Sequence, residues 1–533
     1  MAFCNFKGLG FIICLLAFAS CKDAEQQLEK KFFKFNLSAG LTSLDPAFAK
    51  DQNTIWASTQ IFDGLVQVDK DLNVMPAIAK SWDISDDGLT YTFHLRNDVL
   101  FHENELFPKK TRSVTAQDFV YSFYRIVDPK VASPGRWIFT DRIAPIEPFT
   151  AIDDNTFQIK LKKPFRPMLG ILSMPYCFVV PKEVVEHHGK GFRTNPVGTG
   201  PFKYKVWKEN EVLVLEKNEY YFENELPKVD GVRISFFDTK KNEYMKFIEG
   251  ELDFISGIDA TFKDEVLEKD GTLKADLKDK FQLIKSPYMN TEYLGFNMEG
   301  SNSIVKNKKV RQAINYGFDR EKMMAFLRNN VGAPATAGFI PKGLPSHNSN
   351  KVKGYTYNPQ KARALLSEAG YPNGKSLPSI KLVTNPAYQD LCIYIQKQLG
   401  EIGIPVILEV NQSSFLRQMM VKGEVDFFRG SWIADYPDGE SFLTVFYGGN
   451  PAPPNYTRFK NDAFDKLYEA SLNENDNSKR YVLYQSMDKI LIEEAPIVPL
   501  YYDQVMRFAQ KNISGLEANA QNLLILKNVS IGK

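Results

Sequence analysis

The stretch Arg429-Gly-Ser-Trp-Ile-Ala-Asp-Tyr-Pro-Asp-Gly-Glu-Ser-Phe442 decides how this chain is read. Phe427 and Phe428 lead into it, and Arg429 and Asp435 bracket Trp432 in an apolar run that Tyr436 continues. A carboxylate set among aromatic side chains is poorly hydrated and calls for a cationic partner. Two readings are open on these residues alone. In one, Arg429 and Asp435 form an internal ion pair at a strand end. In the other they stand apart and together grip a molecule with both an ammonium and a carboxylate, such as a short peptide.

Outward from this stretch the chain alternates between strand-like and helix-like runs. Phe32 to Leu37, Leu89 to Leu95, Thr156 to Leu161, Val212 to Glu216 and Val232 to Phe236 read as strands, the second and third with period two. Gln60 to Val68 reads as a helix end followed by a strand. Thr115, with Asp118 three positions later, caps a helix whose apolar face is Phe119, Val120 and Phe123. Asn358 and Pro359 open another, as cap and first helical residue. Ile380 to Thr384, Ile404 to Val410 and Val425 to Phe428 are strands separated by helices, the pattern of α/β lobes. Asp86-Asp87 and Asp153-Asp154 sit beside Gly88 and Asn155 and read as turns.

Trp432-Ile-Ala-Asp-Tyr436 resembles the W-x-A-D-Y signature of oligopeptide-binding proteins, the family 5 extracytoplasmic solute-binding subunits of ABC peptide importers. Further pieces resemble the family in its own order: Pro76 to Trp82 with Ser85 to Gly88 and Tyr91 to Arg96; Thr115 to Phe123 with Arg125; Gly198-Thr-Gly-Pro-Phe202; Val310 to Arg320; Ala362 to Tyr371; and Ala495 to Leu500. The resemblance implies an α/β fold of the type II periplasmic-binding-protein kind, with two large lobes joined by a hinge and a smaller inserted domain. It divides the chain into a discontinuous first lobe (32–58, 181–285 and 503–533), an inserted domain (59–180) and a large lobe (286–502) that carries the ligand site. It also implies roles. Asp435 takes a peptide's α-ammonium and Arg429 the carboxylate of short peptides. Trp432, Ala434 and Tyr436 wall the pocket, and Tyr501 and Tyr502 line the cleft or pack between lobes. Backbone recognition by strand addition would let one receptor accept many peptides. No second cation for longer peptides is placed, since Asn385 to Asp390 holds no His, Lys or Arg.

The N-terminus reads as a secretory signal over 1–20, with Lys7 ahead of an uncharged run from Leu9 to Ala19. That run is too short to span a bilayer. Phe18-Ala-Ser-Cys21 resembles a bacterial lipobox, with Phe18 where Leu is usual. Cys21 is the expected lipidation site, and 21–31 a polar tether to the membrane. The body is expected in the bacterial cell envelope, facing the periplasm or the exterior, as a monomer that meets the permease and ATPase subunits of an ABC transporter. Cys177 and Cys392 are expected as isolated buried thiols.

Other classes are less well served. Of the 533 residues, Lys plus Arg number 66 and Asp plus Glu 64, so no charge footprint for nucleic acid exists. No G-x-S-x-G, H-E-x-x-H or phosphate-loop motif suggests an enzyme. Five histidines are present, and His187-His188 are adjacent, a poor chelating arrangement on a helix. No metal or cofactor is expected. The alternatives are the same fold carrying a nickel complex, an opine or a sugar oligomer, or a surface-exposed adhesin-like lipoprotein.

Overall fold

Two strands run the length of the molecule. Phe281–Phe296 and Ile497–Gln510 pair antiparallel along most of their length, with a bulge between Pro287 and Thr291. The computed structural model describes residues 30–38 and 40–532. The expected signal segment 1–20 and Cys21 lie outside them. Both expected lobe junctions, 285/286 and 502/503, fall inside these two strands.

At one end the pair joins the strands of the first lobe. Phe254–Ser256 pairs with the 497–510 strand, followed by Phe32–Asn36, Gly231–Ser235, Val212–Lys217 and Phe202–Lys208. At the other end Phe427–Ile433 pairs with Asn290–Phe296, followed by Ile380–Thr384 and Val406–Val410. One 11-stranded sheet therefore passes through both lobes. The strand read from Val425 to Phe428 extends to Ile433, because its outer half finds a ladder partner in the crossing strand.

The inserted domain is built on a four-stranded antiparallel sheet, in the order Ala79–Ile84, Thr90–Leu95, Thr156–Lys160, Phe149–Asp153. Its helix, Ala116–Val127, starts where the cap predicts. The Asp118 carboxylate accepts from the Thr115 N–H at 2.8 Å and pairs with Arg112 at 2.7 Å. Phe119, Phe123 and Phe157 are fully buried beneath it, each worth about 1.5–3 kcal/mol of burial. Their core is continuous with that of the first lobe, through Phe33, Phe35 and Phe62. The large lobe holds two further clusters, one under each face of its sheet.

In the second expected helix, Pro359–Glu368, Asn358 accepts from the Lys361 N–H at 2.9 Å. Cys177 and Cys392 are free, buried and in different cores. His187 and His188 close the last turn of helix Lys182–His188 instead of following it, where a cation suits the helix dipole. Among the described residues no helix is long and apolar enough to cross a membrane, and no cluster of His, Cys, Asp or Glu is arranged to hold a metal.

Candidate functional site

The motif stretch leaves its strand at Ile433 and turns through 434–439 into the short helix Glu440–Leu443. Three acids sit in this turn, and two are engaged by the protein itself. Asp438 pairs with Arg480 at 2.8 Å and accepts from the Tyr484 hydroxyl at 2.7 Å. Glu440 is fully enclosed and receives the hydroxyls of Tyr436 and Tyr468, while burial raises its pKa.

Asp435 differs. Among the described residues its carboxylate has no hydrogen-bond partner and no ion pair; only its backbone N–H is bonded, to Ser441 Oγ at 3.4 Å. The residue is exposed to solvent, yet protein surrounds the carboxylate closely enough to strip much of its hydration. This desolvation alone raises its pKa to about 6. The internal Arg429–Asp435 ion pair, one of the two readings of the residues, is not formed.

Arg429 has another partner. Its Nη2 donates to Glu292 on the neighbouring strand, and both side chains are buried. The Tyr388 ring covers the guanidinium, 3.2 Å from centroid to carbon. Asn290 Nδ2 donates to Glu292 at 3.0 Å, and reaches Asp503 at 3.4 Å. The expected carboxylate receiver therefore already holds a carboxylate supplied by the chain.

The other expected wall residues divide. Trp432 is half-buried against the large-lobe core. Ala434 is buried and donates its N–H to the Met289 carbonyl at 2.9 Å. Tyr436 reaches from the large lobe into the core shared by the first lobe and the inserted domain, with its ring stacked 6.4 Å from Trp137. Pro437 beside it packs over Gly170 of the inserted domain, where a Cβ would lie 3.4 Å from the proline ring. Tyr501 and Tyr502 are core residues here and line no cleft. Ala333–Pro334 pairs over their backbone, and the Tyr502 hydroxyl donates to Gly338 O at 2.7 Å.

A cavity of about 340 Å³ opens between first-lobe residues Ser256 to Ile258 and large-lobe residues Leu327, Arg328 and Val331, with Tyr288 and Asp503 from the crossing strands. Its lining residue Tyr288 precedes Met289, whose carbonyl accepts from the Ala434 N–H. Arg328 is partly exposed there, pairs with Asp503 at 3.1 Å and lies 4.8 Å over Tyr501. Its Nε has no partner. Sequence reasoning did not single out Arg328. In the sequence it is an unremarked basic residue in the last turn of helix Arg320–Arg328, where such residues are common.

Two α/β lobes that share one sheet, with a cavity between them, are the arrangement of a hinged binding protein. The sequence pattern described as "Bacterial extracellular solute-binding proteins, family 5 Middle" matches residues 73–454. Heme-binding protein A of Haemophilus influenzae is 30% identical over 465 residues, covering 83% of this chain and 82% of that protein. Among solved structures, DppA from Helicobacter pylori in complex with peptide STSA superposes with a TM-score of 0.74 at 27% identity, covering 94% of this chain and 99% of that one. The Escherichia coli murein tripeptide binding protein MppA gives 0.72 at 26% identity, covering 95% and 99%. The chain belongs to family 5 of the bacterial extracellular solute-binding proteins, and it is a binding protein and not an enzyme.

Proposed function

We propose that this protein captures short peptides in the cleft between its lobes and delivers them to an ABC transporter, held to the membrane by lipid on Cys21. The observation that carries this reading is the Asp435 carboxylate, exposed at the residue level, poorly hydrated and, among the described residues, without a partner. A charge in that state gains most from a ligand cation, and a peptide's α-ammonium is the cation every peptide has. Two of the similar structures belong to proteins whose names specify peptides. We take the division into a discontinuous first lobe, an inserted domain and a large lobe as the frame of closure, with the bulge at 287–291 as the point of bending. Arg328, which lines the cavity between the lobes, is the cation we assign to a carboxylate further along the ligand.

Native mass spectrometry of the protein purified without added ligand tests this directly. Masses of short peptides released from the wild type, and absent from Asp435→Ala, are the expected result. Heme, a nickel complex, an opine or a sugar oligomer in their place would replace the peptide reading.

A further inference from the structure

Arg429 and Glu292 lie on adjacent antiparallel strands. Leu294 faces Arg429 in the register and Glu292 faces Ser431, so the two charged residues are diagonal neighbours on the sheet. Each is held from several sides. Asn290 and the Tyr388 hydroxyl (3.3 Å) both donate to Glu292 Oε1, and Arg429 donates to Oε2. The Tyr388 ring closes one face of the guanidinium. Yet the surroundings retain unused polar capacity: Arg429 Nε, Asn290 Oδ1 and Tyr501 Oη are buried without a partner.

Arg429 is six residues from Asp435 along a strand and its turn, a separation of at most roughly 20 Å at strand rise. Extended peptides span about 3.3–3.6 Å per residue, so a carboxylate at Arg429 would belong to a peptide of at most about six residues. A second carboxylate brought there would meet Glu292 in a water-poor setting, where two like charges cannot both ionise without cost.

We infer that Glu292 is a specificity-determining residue that acts as the chain's own stand-in for a ligand carboxylate, closing Arg429 to the acidic end of short peptides. The inference rests on the peptide reading above. It follows that short ligands are held by their amino end and backbone, and that Arg429 serves architecture in the wild type. Removing the Glu292 charge returns Arg429 to ligand duty.

Isothermal titration calorimetry on the mature protein decides this, with alanine peptides of two to six residues, each as free acid and as C-terminal amide. In Glu292→Gln the preference for acid over amide rises at least tenfold over wild type at one length in the series. In the double variant Glu292→Gln/Arg429→Gln that gain disappears. A folded Glu292→Gln whose acid-to-amide profile superimposes on the wild type overturns the inference. Should Glu292→Gln fail to fold, Arg429→Gln decides alone. An acid preference unchanged from wild type supports the inference, and its collapse at any length places the ligand carboxylate on Arg429 and overturns it. Absence of binding by every peptide to the wild type instead removes the peptide reading, and this inference with it.

Discussion

Asp435 on the large lobe and Tyr176 on the inserted domain stand in each other's field. Burial, then the charge of Asp435, pushes the Tyr176 phenol up to about 12. Tyr176 is itself buried, so the acid is walled from the side opposite its own lobe as well as from beneath. The field acts between segments more than 250 residues apart, and it is the electrostatic signature of a cleft with two unlike walls.

Removing the acid should therefore remove the anchor. Asp435→Ala is expected to weaken peptide binding by about two to three decades, the equivalent of about 3–5 kcal/mol for a desolvated pair that loses one member. Calorimetry with a tripeptide measures this, and a dissociation constant within threefold of wild type would remove Asp435 from the site.

Acidity gives a second handle. Ammonium capture needs the ionised carboxylate, and Asp435 titrates near 6. Peptide affinity should hold above pH 6 and fall below it, approaching tenfold per pH unit. Unliganded stability runs the other way. The folded-state pKa lies above the usual 3.8, so the fold is penalised as pH rises from about 4 through 6. Asp435→Asn should raise the melting temperature of the unliganded protein, by more at pH 7.5 than at pH 5, and should flatten the pH step in affinity.

Arg328 gives a length-dependent prediction. Hydrogen bonds to a charged group contribute about 1.5–3 kcal/mol, roughly 10- to 100-fold in affinity. Arg328→Ala should cost that much for the peptides whose carboxylate reaches the cavity and little for shorter ones, while Arg328→Lys keeps part of it. A uniform loss across lengths, read by competition against one labelled peptide, would assign Arg328 to structure alone.

Tyr436→Phe keeps the ring on Trp137 and deletes one of the two hydroxyls that serve the buried Glu440. The expected cost is about 1–3 kcal/mol of stability, with the remaining donor, Tyr468, still in place. Chemical unfolding of the unliganded protein reads the difference.

Lipid attachment can be tested apart from binding. Cys21→Ser should move the protein from the membrane fraction to the soluble fraction on detergent partition, with peptide affinity unchanged.

Much of the frame was legible because it rests on local chemistry. The Thr115 and Asn358 caps, the alternating strand at Thr90–Leu95 and the compact motif holding Asp435 all declare themselves within a few residues. Glu292 did not. Its partner lies 137 positions further on, and nothing around it in Met-Asn-Thr-Glu-Tyr-Leu separates it from an ordinary strand acid. The sequence left open whether Tyr501 and Tyr502 line the cleft or pack, because the choice depends on the two-residue strand at Ala333–Pro334, which pairs with them from far along the chain. Tyr436 reads as a pocket wall in the sequence because it belongs to the family motif, while its ring is claimed by a domain inserted hundreds of residues earlier.

The paired strands 281–296 and 497–510 also govern how this molecule can be taken apart. Cutting the chain where one lobe passes into the other would leave a half-length of open ladder on every fragment, the kind of edge that templates pairing with a second copy. Neither lobe is therefore a free-standing module. A split reporter or an inserted fluorescent domain belongs on a surface turn such as Ser349-Asn350, where the chain is exposed and no ladder is interrupted.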